Sequence, residues 1–232
     1  MNNKEFVKKL VDVAKNYKTL YVMGCFGSPM TDANKERYCK NHTYNTASAR
    51  QKMIKNASSD TFGFDCVNLI KGVLWGWNGD KTKTYGGAKY STNDVPDVSA
   101  DGMIAKCKNL STDFNNIEIG EAVWCKGHIG VYIGDGLAVE CTPAWDNCVQ
   151  ITACNRNVKG YNRRNWTKHG KLPYITYEKS ALESGNDIVW ELMNGKHKVK
   201  ITEVERAIKA VDKAKNDANY SSLYWILYKL VN

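Results

Sequence analysis

The sequence predicts an α+β domain with a small helical unit at its C-terminal end. Three observations carry this. Apolar residues at helical spacing (Phe6, Leu10, Val13 and Tyr17, then Val67, Ile70, Val73 and Leu74) fill the first part of the chain. Short β-rich runs separated by turn residues begin at Gly120. Past residue 180 the texture is helical again. Helices followed by consecutive strands give the α+β order, whereas strict alternation would build a parallel sheet.

Residues 4–17 read as an opening helix. Tyr21-Val-Met-Gly-Cys-Phe-Gly-Ser-Pro follows, a short apolar stretch running into a Gly-rich turn. Residues 31–60 are polar and read as a partly helical insertion. From Cys66, the residues Val67, Ile70, Val73, Leu74 and Trp77 mark one face of a buried helix. Residues 78–100 are rich in Gly, Asn, Asp and Thr and read as loop, with a short helix expected near 101–108. Glu121-Ala-Val-Trp-Cys, Ile129-Gly-Val-Tyr-Ile and Leu137-Ala-Val-Glu-Cys are strands, the last two joined by a hairpin turn at Gly134-Asp135-Gly136. Further strands are expected at 148–153 and 172–177. In the tail, Thr202-Glu203-Val204-Glu205 is a capping box that starts a helix striped by Val204, Ile208 and Val211. The expected division is a main domain over 1–178 and about three short helices over 179–232.

At 232 residues the chain holds one ordinary domain and an appendage. Its 43% hydrophobic and 25% charged content suits a globular protein and excludes a disordered one. The longest apolar runs, such as Ile129 to Ile133, are too short to cross a bilayer. The N-terminus lacks the uninterrupted apolar core of a signal peptide, so synthesis in a cytoplasm without a leader is expected. The formal charge is +9, and because residues 180–232 hold 8 basic against 7 acidic side chains, nearly all the excess lies before them. A basic surface attracts nucleic acid, anionic lipid or an anionic wall polymer, or serves solubility alone. No helix-turn-helix, zinc-finger or RNA-binding signature accompanies it, so nucleic acid is not expected as a partner. The 8 cysteines show no CxxC and no zinc spacing; Cys39 and His42 are close, but nothing completes a tetrahedral site. No metal or other cofactor is expected, and most of the thiols read as reduced core residues.

Chemistry is suggested by two segments. Phe62-Gly-Phe-Asp-Cys-Val-Asn-Leu-Ile-Lys places Cys66 at the first turn of an apolar helix, where free N–H groups and the helix dipole favour a thiolate. A buried structural cysteine is the competing explanation. Gly127-His128-Ile-Gly-Val-Tyr-Ile-Gly-Asp-Gly-Leu-Ala-Val-Glu140 supplies a base and a partner to orient it. A three-residue loop at Gly134-Asp-Gly would set Gly130 opposite Glu140, leaving His128 diagonal to the carboxylate on the same face; a two-residue loop would separate them.

These blocks carry a resemblance. Tyr21-Val-Met-Gly-Cys-Phe-Gly, Phe64-Asp65-Cys66 opening a helix, and Gly120-Glu-Ala-Val followed by Gly127-His128-Ile-Gly-Val-Tyr-Ile-Gly resemble the NlpC-type family of papain-like cell-wall peptidases, in the family's order, over roughly residues 20–145. The resemblance implies a papain-like core in which Cys66 is the nucleophile and His128 is base and then acid. The polar residue twelve positions on, Glu140, would be the orienter, where the family often has histidine. It also implies that Tyr21 and the neighbouring Asp65 support the site and the oxyanion. The implied activity is hydrolysis of an amide bond in the peptidoglycan stem peptide, between D-glutamate and a diamino acid. An N-acetylmuramoyl-L-alanine amidase and a catalytically idle wall-binding protein are the alternatives. The expected partner is bacterial peptidoglycan, with anionic wall polymers as a further target of the basic charge. Together with the missing leader, the resemblance leads to the expectation of a phage or prophage endolysin, delivered to the wall by a holin or tail. Residues 179–232 would then be a wall-binding module, with Tyr220, Tyr224, Trp225 and Tyr228 forming either a glycan face or its core. Three histidines stand outside the constellation: His169 reads as a solvated loop residue or as one lining a groove, and His42 and His197 sit in polar, Lys- or Asn-rich surroundings with no catalytic role expected. Trp145 and Trp166 read either as stacking platforms for sugar or as core.

Overall fold

The computed structural model divides the chain into two units, Met1–Tyr177 and Glu178–Asn232, and the structure describes residues 1–177. The expected helical module over 179–232, its capping box, His197 and its aromatic cluster lie outside the described residues.

In chain order the elements are α1 (Asn3–Asn16), β1 (Thr19–Tyr21), β2 (Phe26–Pro29), α2 (Asp32–Lys40), α3 (Thr43–Thr46), α4 (Ser48–Asn56), β3 (Phe62–Phe64), α5 (Cys66–Leu74), α6 (Ala100–Lys106), β4 (Lys108–Ser111), β5 (Ala122–Cys125), β6 (His128–Gly134), β7 (Leu137–Thr142), β8 (Cys148–Cys154), β9 (Arg163–Arg164) and β10 (Lys168–Lys171). This is the expected α+β class, helices packed on a largely antiparallel sheet, with Cys66 at a helix start and His128 at the start of a strand that packs on that helix. The seven-stranded sheet has the order β4-β10-β5-β6-β7-β8-β9, in which β5 to β8 form an antiparallel meander. A three-stranded sheet, β1-β3-β2, stands apart from it.

Local chemistry fixes the ends of the helices that matter most. Asn2 caps α1 in a reciprocal box with Glu5, and Phe6, Leu10 and Val13 bury one stripe. Asp65 caps α5 by accepting the Asn68 N–H at 2.8 Å. At the other end of α5, Gly76 takes φ 90°; its N–H reaches Val73 O at 3.1 Å and the Trp77 N–H reaches Gly72 O at 2.9 Å. That pair is a Schellman ending, which needs a residue free to adopt positive φ. Where the sequence suggested one buried face, every residue of α5 is buried. It packs against α1, β2, β6 and β7, which leaves it no solvated side.

The pleat of the sheet sorts side chains between two clusters. Ile129, Val131, Val139, Cys141 and Val149 join α1 and α5 in the main core. Val123, Ala138, Cys154 and Trp166 form a smaller cluster. The alternation places His128, Gly130, Glu140 and Thr152 on the face of that second cluster.

Register is set by an irregularity in the hairpin. The turn is the two-residue Asp135-Gly136, with φ 52° and 71°, the double-positive geometry that Asp-Gly favours. Taken alone it would have put Glu140 out of step with Gly130. One extra residue between Tyr132 and Gly134 shifts the ladder, so that Gly130 pairs with Glu140 after all.

Some expectations are corrected. No strand spans 172–177: the final strand among the described residues is β10, and beyond it, among those residues, only Thr176 makes an isolated bridge, to Asn2. Pro173 explains this, since it has no N–H to give a ladder. His169 is not a solvated loop residue. It sits in β10 at 3% exposure, with Nδ1 against Glu121 of the 121–125 segment and Nε2 2.9 Å from Asp113 O. Its neighbours on the strand are Lys168, Gly170 and Lys171, which hide the inward direction of the one residue between them. Burial pushes the Glu121 carboxyl up and His169 pulls it back. We expect His169→Ala to cost about 3–5 kcal/mol in urea unfolding, because it leaves a buried carboxylate without its partner. A loss under 1 kcal/mol would show that water replaces the imidazole there. All eight cysteines are free thiols, six of them buried. No helix among the described residues is long and apolar enough to cross a membrane.

Candidate active site

Cys66 is the first residue of α5 and lines a cleft of about 590 Å³ together with Tyr21, Gly24, Asp65 and Gly127. Asp65 does more than cap. Its Oδ1 holds the Asn68 N–H, while Oδ2 takes the Asn68 side-chain amide at 2.7 Å and the Gly24 N–H at 2.8 Å. The carboxylate thereby ties the Tyr21–Gly24 loop to the helix start. Burial pushes its pKa up, and those three donors pull it back.

Burial is also the main influence on the Cys66 thiol, followed by the Asp65 charge; together they push it up to about 12, against the pull of nearby backbone N–H groups, that of Ile129 first. The free thiol is therefore protonated at neutral pH and becomes a nucleophile only when a base takes its proton. The base candidate is on the strand that packs on this helix start: Gly127 lines the same cleft as Cys66 and the Ile129 N–H faces the thiol, with His128 between them in sequence. Cys66 and His128 share no direct hydrogen bond; such bonds tighten as substrate binds.

His128 and Glu140 are brought together: Nε2 lies 2.6 Å from Glu140 Oε2. Occupying Nε2 with a carboxylate fixes the tautomer in which Nδ1 is the free, basic nitrogen. The imidazole is stacked on Trp166, with centroids 5.5 Å apart and planes 8° from parallel. Gly130 permits that stack, since a Cβ there would stand 2.8 Å from Val139 O and 3.1 Å from the Trp166 ring. Of the sequence alternatives for Trp166, burial favours core, and its work is to support the histidine.

Glu140 is fully buried, and three side chains satisfy it. Besides His128, Thr152 Oγ1 donates to Oε1 at 2.6 Å, and Arg164 Nε lies 2.8 Å from Oε1 and 2.7 Å from Oε2. Burial alone would raise the carboxyl, but the hydrogen bonds from His128 and Arg164 hold it below the usual carboxylate range. Thr152 and Arg164 escaped the sequence reading. A signal existed: the step of twelve residues that leads from His128 to Glu140 leads on to Thr152 and then to Arg164.

Tyr21 is buried at the cleft wall, where its hydroxyl meets only a weak acceptor among the described residues, Met23 Sδ at 4.0 Å. The insertion packs directly on it. Arg50 of α4 donates to Tyr21 O and, at 2.6 Å, to Asn147 Oδ1, and Asn45 bonds both backbone groups of Met23. Arg37, Tyr38, Asn41 and His42 of the same insertion line the cleft, so it does shape the groove. His42, from which no catalytic role is expected on sequence, stands beside Gly24, whose φ of 78° and missing side chain admit the ring: a Cβ would lie 2.0 Å from its Nε2.

Comparison with known proteins adds the following. No family model matches the chain, and no curated protein matches it. Among solved structures, the chain is similar to NlpC2 from Trichomonas vaginalis, with a TM-score of 0.38 and 13% identity, covering 73% of this chain and 46% of that one. It is similar also to NlpC1 from the same organism, with a TM-score of 0.38 and 15% identity, covering 74% of this chain and 44% of that one. The chain thus spans less than half the length of either.

Proposed function

We propose that this protein is a cysteine hydrolase of NlpC type that cleaves an amide bond in the peptidoglycan stem peptide, between D-glutamate and a diamino acid. What supports the reading is a thiol at the N-terminus of a buried helix, facing the Ile129 N–H of a strand whose preceding residue, His128, has its Nε2 held by a buried carboxylate. Substrate binding in the cleft brings the scissile carbonyl to Cys66. His128 Nδ1 takes the thiol proton as Sγ bonds to the carbonyl carbon. The negative charge on the carbonyl oxygen is met by the free N–H groups of the first turn of α5 and by the Tyr21 hydroxyl. His128 returns the proton to the departing amine, giving an acyl-enzyme and a free amino group. It then deprotonates a water that releases the acyl group as a carboxylate and restores the thiol. Asp65 keeps the Tyr21–Gly24 loop and the helix start in register throughout. The excess of basic residues supports attraction to anionic wall polymers.

The test is mass spectrometry of purified peptidoglycan digested by the protein. New D-glutamyl carboxyl termini paired with free amines on the diamino acid are the expected products. Free L-alanine amino termini would instead mark a muramoyl-L-alanine amidase, and the absence of released fragments from several wall types would overturn the hydrolase reading.

A further inference from the structure

We propose that Arg164 is a positioning residue of this site, holding the Glu140 carboxylate and, through it and Trp166, fixing the His128 ring and limiting the negative charge that the ring meets. The inference rests on the reading of His128 as the base. What singles out Arg164 is that it touches both supports of the imidazole. Its Nε lies within 2.8 Å of both Glu140 oxygens, and its guanidinium carbon lies 5.7 Å from the centre of the Trp166 ring that stacks on His128. The arginine is itself held: Nη2 donates to Thr142 Oγ1 at 3.1 Å, and the Trp145 ring, 45% exposed, lies 4.8 Å from the guanidinium carbon. An arginine tethered at three points serves as a fixed strut, with little of the freedom of a solvated side chain.

The charge argument follows from burial. Glu140 is out of reach of water, and Thr152 gives it a hydrogen bond but no charge. Without Arg164 the one remaining countercharge in contact with Glu140 among the described residues would be a protonated His128, and the buried carboxylate would draw a proton onto the ring. A histidine locked as imidazolium is a poor base for the Cys66 thiol. With the guanidinium in place, Glu140 orients the ring while its charge is largely offset. The other titratable groups facing this cluster among the described residues are the thiols of Cys125 on β5 and Cys154 on β8, with Arg156 beside Cys154. Neither the thiols nor Arg156 stands in for Arg164 as a partner of the Glu140 oxygens.

The strand pattern accounts for the assembly. His128, Glu140 and Thr152 recur at twelve-residue steps on successive strands of the meander, and Arg164 continues the step on β9. β9 is paired parallel to β8, with Cys154 opposite Arg164, which delivers the guanidinium beside the carboxylate.

The experiment is NMR titration of the His128 imidazole in the full chain, for the wild type, Arg164→Gln and Arg164→Lys. Arg164→Gln is expected to raise the titration midpoint of His128 by about one pH unit, and Arg164→Lys to return it most of the way. On peptidoglycan, turnover of Arg164→Gln is expected to fall about tenfold with KM little changed. A folded Arg164→Gln whose His128 titrates as in the wild type would overturn the proposal. So would an Arg164→Lys protein whose midpoint moves as far as expected for the glutamine variant, and that comparison remains available if Arg164→Gln does not fold. Because the titration needs no substrate, inactivity of the wild type on walls would count against the proposed function and leave this readout intact.

Discussion

Cys66→Ala is expected to abolish release of wall fragments, a fall in turnover on the order of 10⁴-fold or more, with the folded state retained. The size of the effect follows from Cys66 being the one thiol that lines the cleft among the described residues. Cys141 is a near neighbour in electrostatic terms, yet its thiol is fully buried, donates to Phe64 O at 3.2 Å and is pushed well above the ordinary thiol range by burial. Cys25 is likewise buried, and its thiol is also raised. Neither lines the cleft. The cost in stability is small, since alanine keeps the first turn of α5 and removes one sulfur, about 1 kcal/mol. Cys66→Ser sharpens the test. It preserves shape, but a hydroxyl is a far weaker nucleophile than a thiol, so it too is expected to be inactive. Mass spectrometry of digested walls alongside thermal unfolding reads both quantities. A folded Cys66→Ala protein that releases fragments at the wild-type rate would place the chemistry elsewhere.

The parts of this fold that were legible in the sequence are those whose signal is local. Phe6, Leu10 and Val13 declare α1, and the Asp65-Cys66 step followed by Val67, Ile70 and Val73 declares α5. Asp135-Gly136 declares a hairpin whatever surrounds it. The register of that hairpin was not legible, because a bulge at one residue reverses which face every later side chain takes, and nothing about Ile133 announces it. The β1-β3-β2 sheet was missed for a related reason: strands of three or four residues are too short to show a period. His169 and Arg164 were hidden by composition. Each sits among polar residues that read as solvated, and each is turned inward by a long-range pairing, His169 to Glu121 and Arg164 to Glu140. The pairing of His128 with Glu140 is foreseeable only as a conditional, and the hairpin meets the condition by a different turn from the one expected.

The second large effect is expected at His128 and separates base from orienter. His128→Ala would remove the proposed base, and a thiol pushed up to about 12 gives almost no thiolate without one, so turnover should fall on the order of 10³- to 10⁴-fold. Site-resolved alkylation of Cys66 by iodoacetamide should slow in parallel at neutral pH, which reports the loss of the base independently of any wall substrate. Glu140→Gln should behave differently. The amide keeps a hydrogen-bonding atom near Nε2 but no longer insists on a protonated Nε2, so the ring is freed to carry its proton on Nδ1, where it cannot accept one from Cys66. A fall of about 10- to 100-fold is expected, smaller than for His128→Ala. The pH dependence has a definite sign. The folded Glu140 carboxyl titrates below its unfolded value, so its contribution to stability is complete above the ordinary carboxylate range and is lost as pH falls through the depressed folded value. Glu140→Gln removes that ionisation, and its unfolding midpoint should change less than the wild type's between pH 7 and acid. Equal acid sensitivity in the two proteins would mean that Glu140 is protonated in the native state. In that case the carboxylate would not be the group that fixes His128.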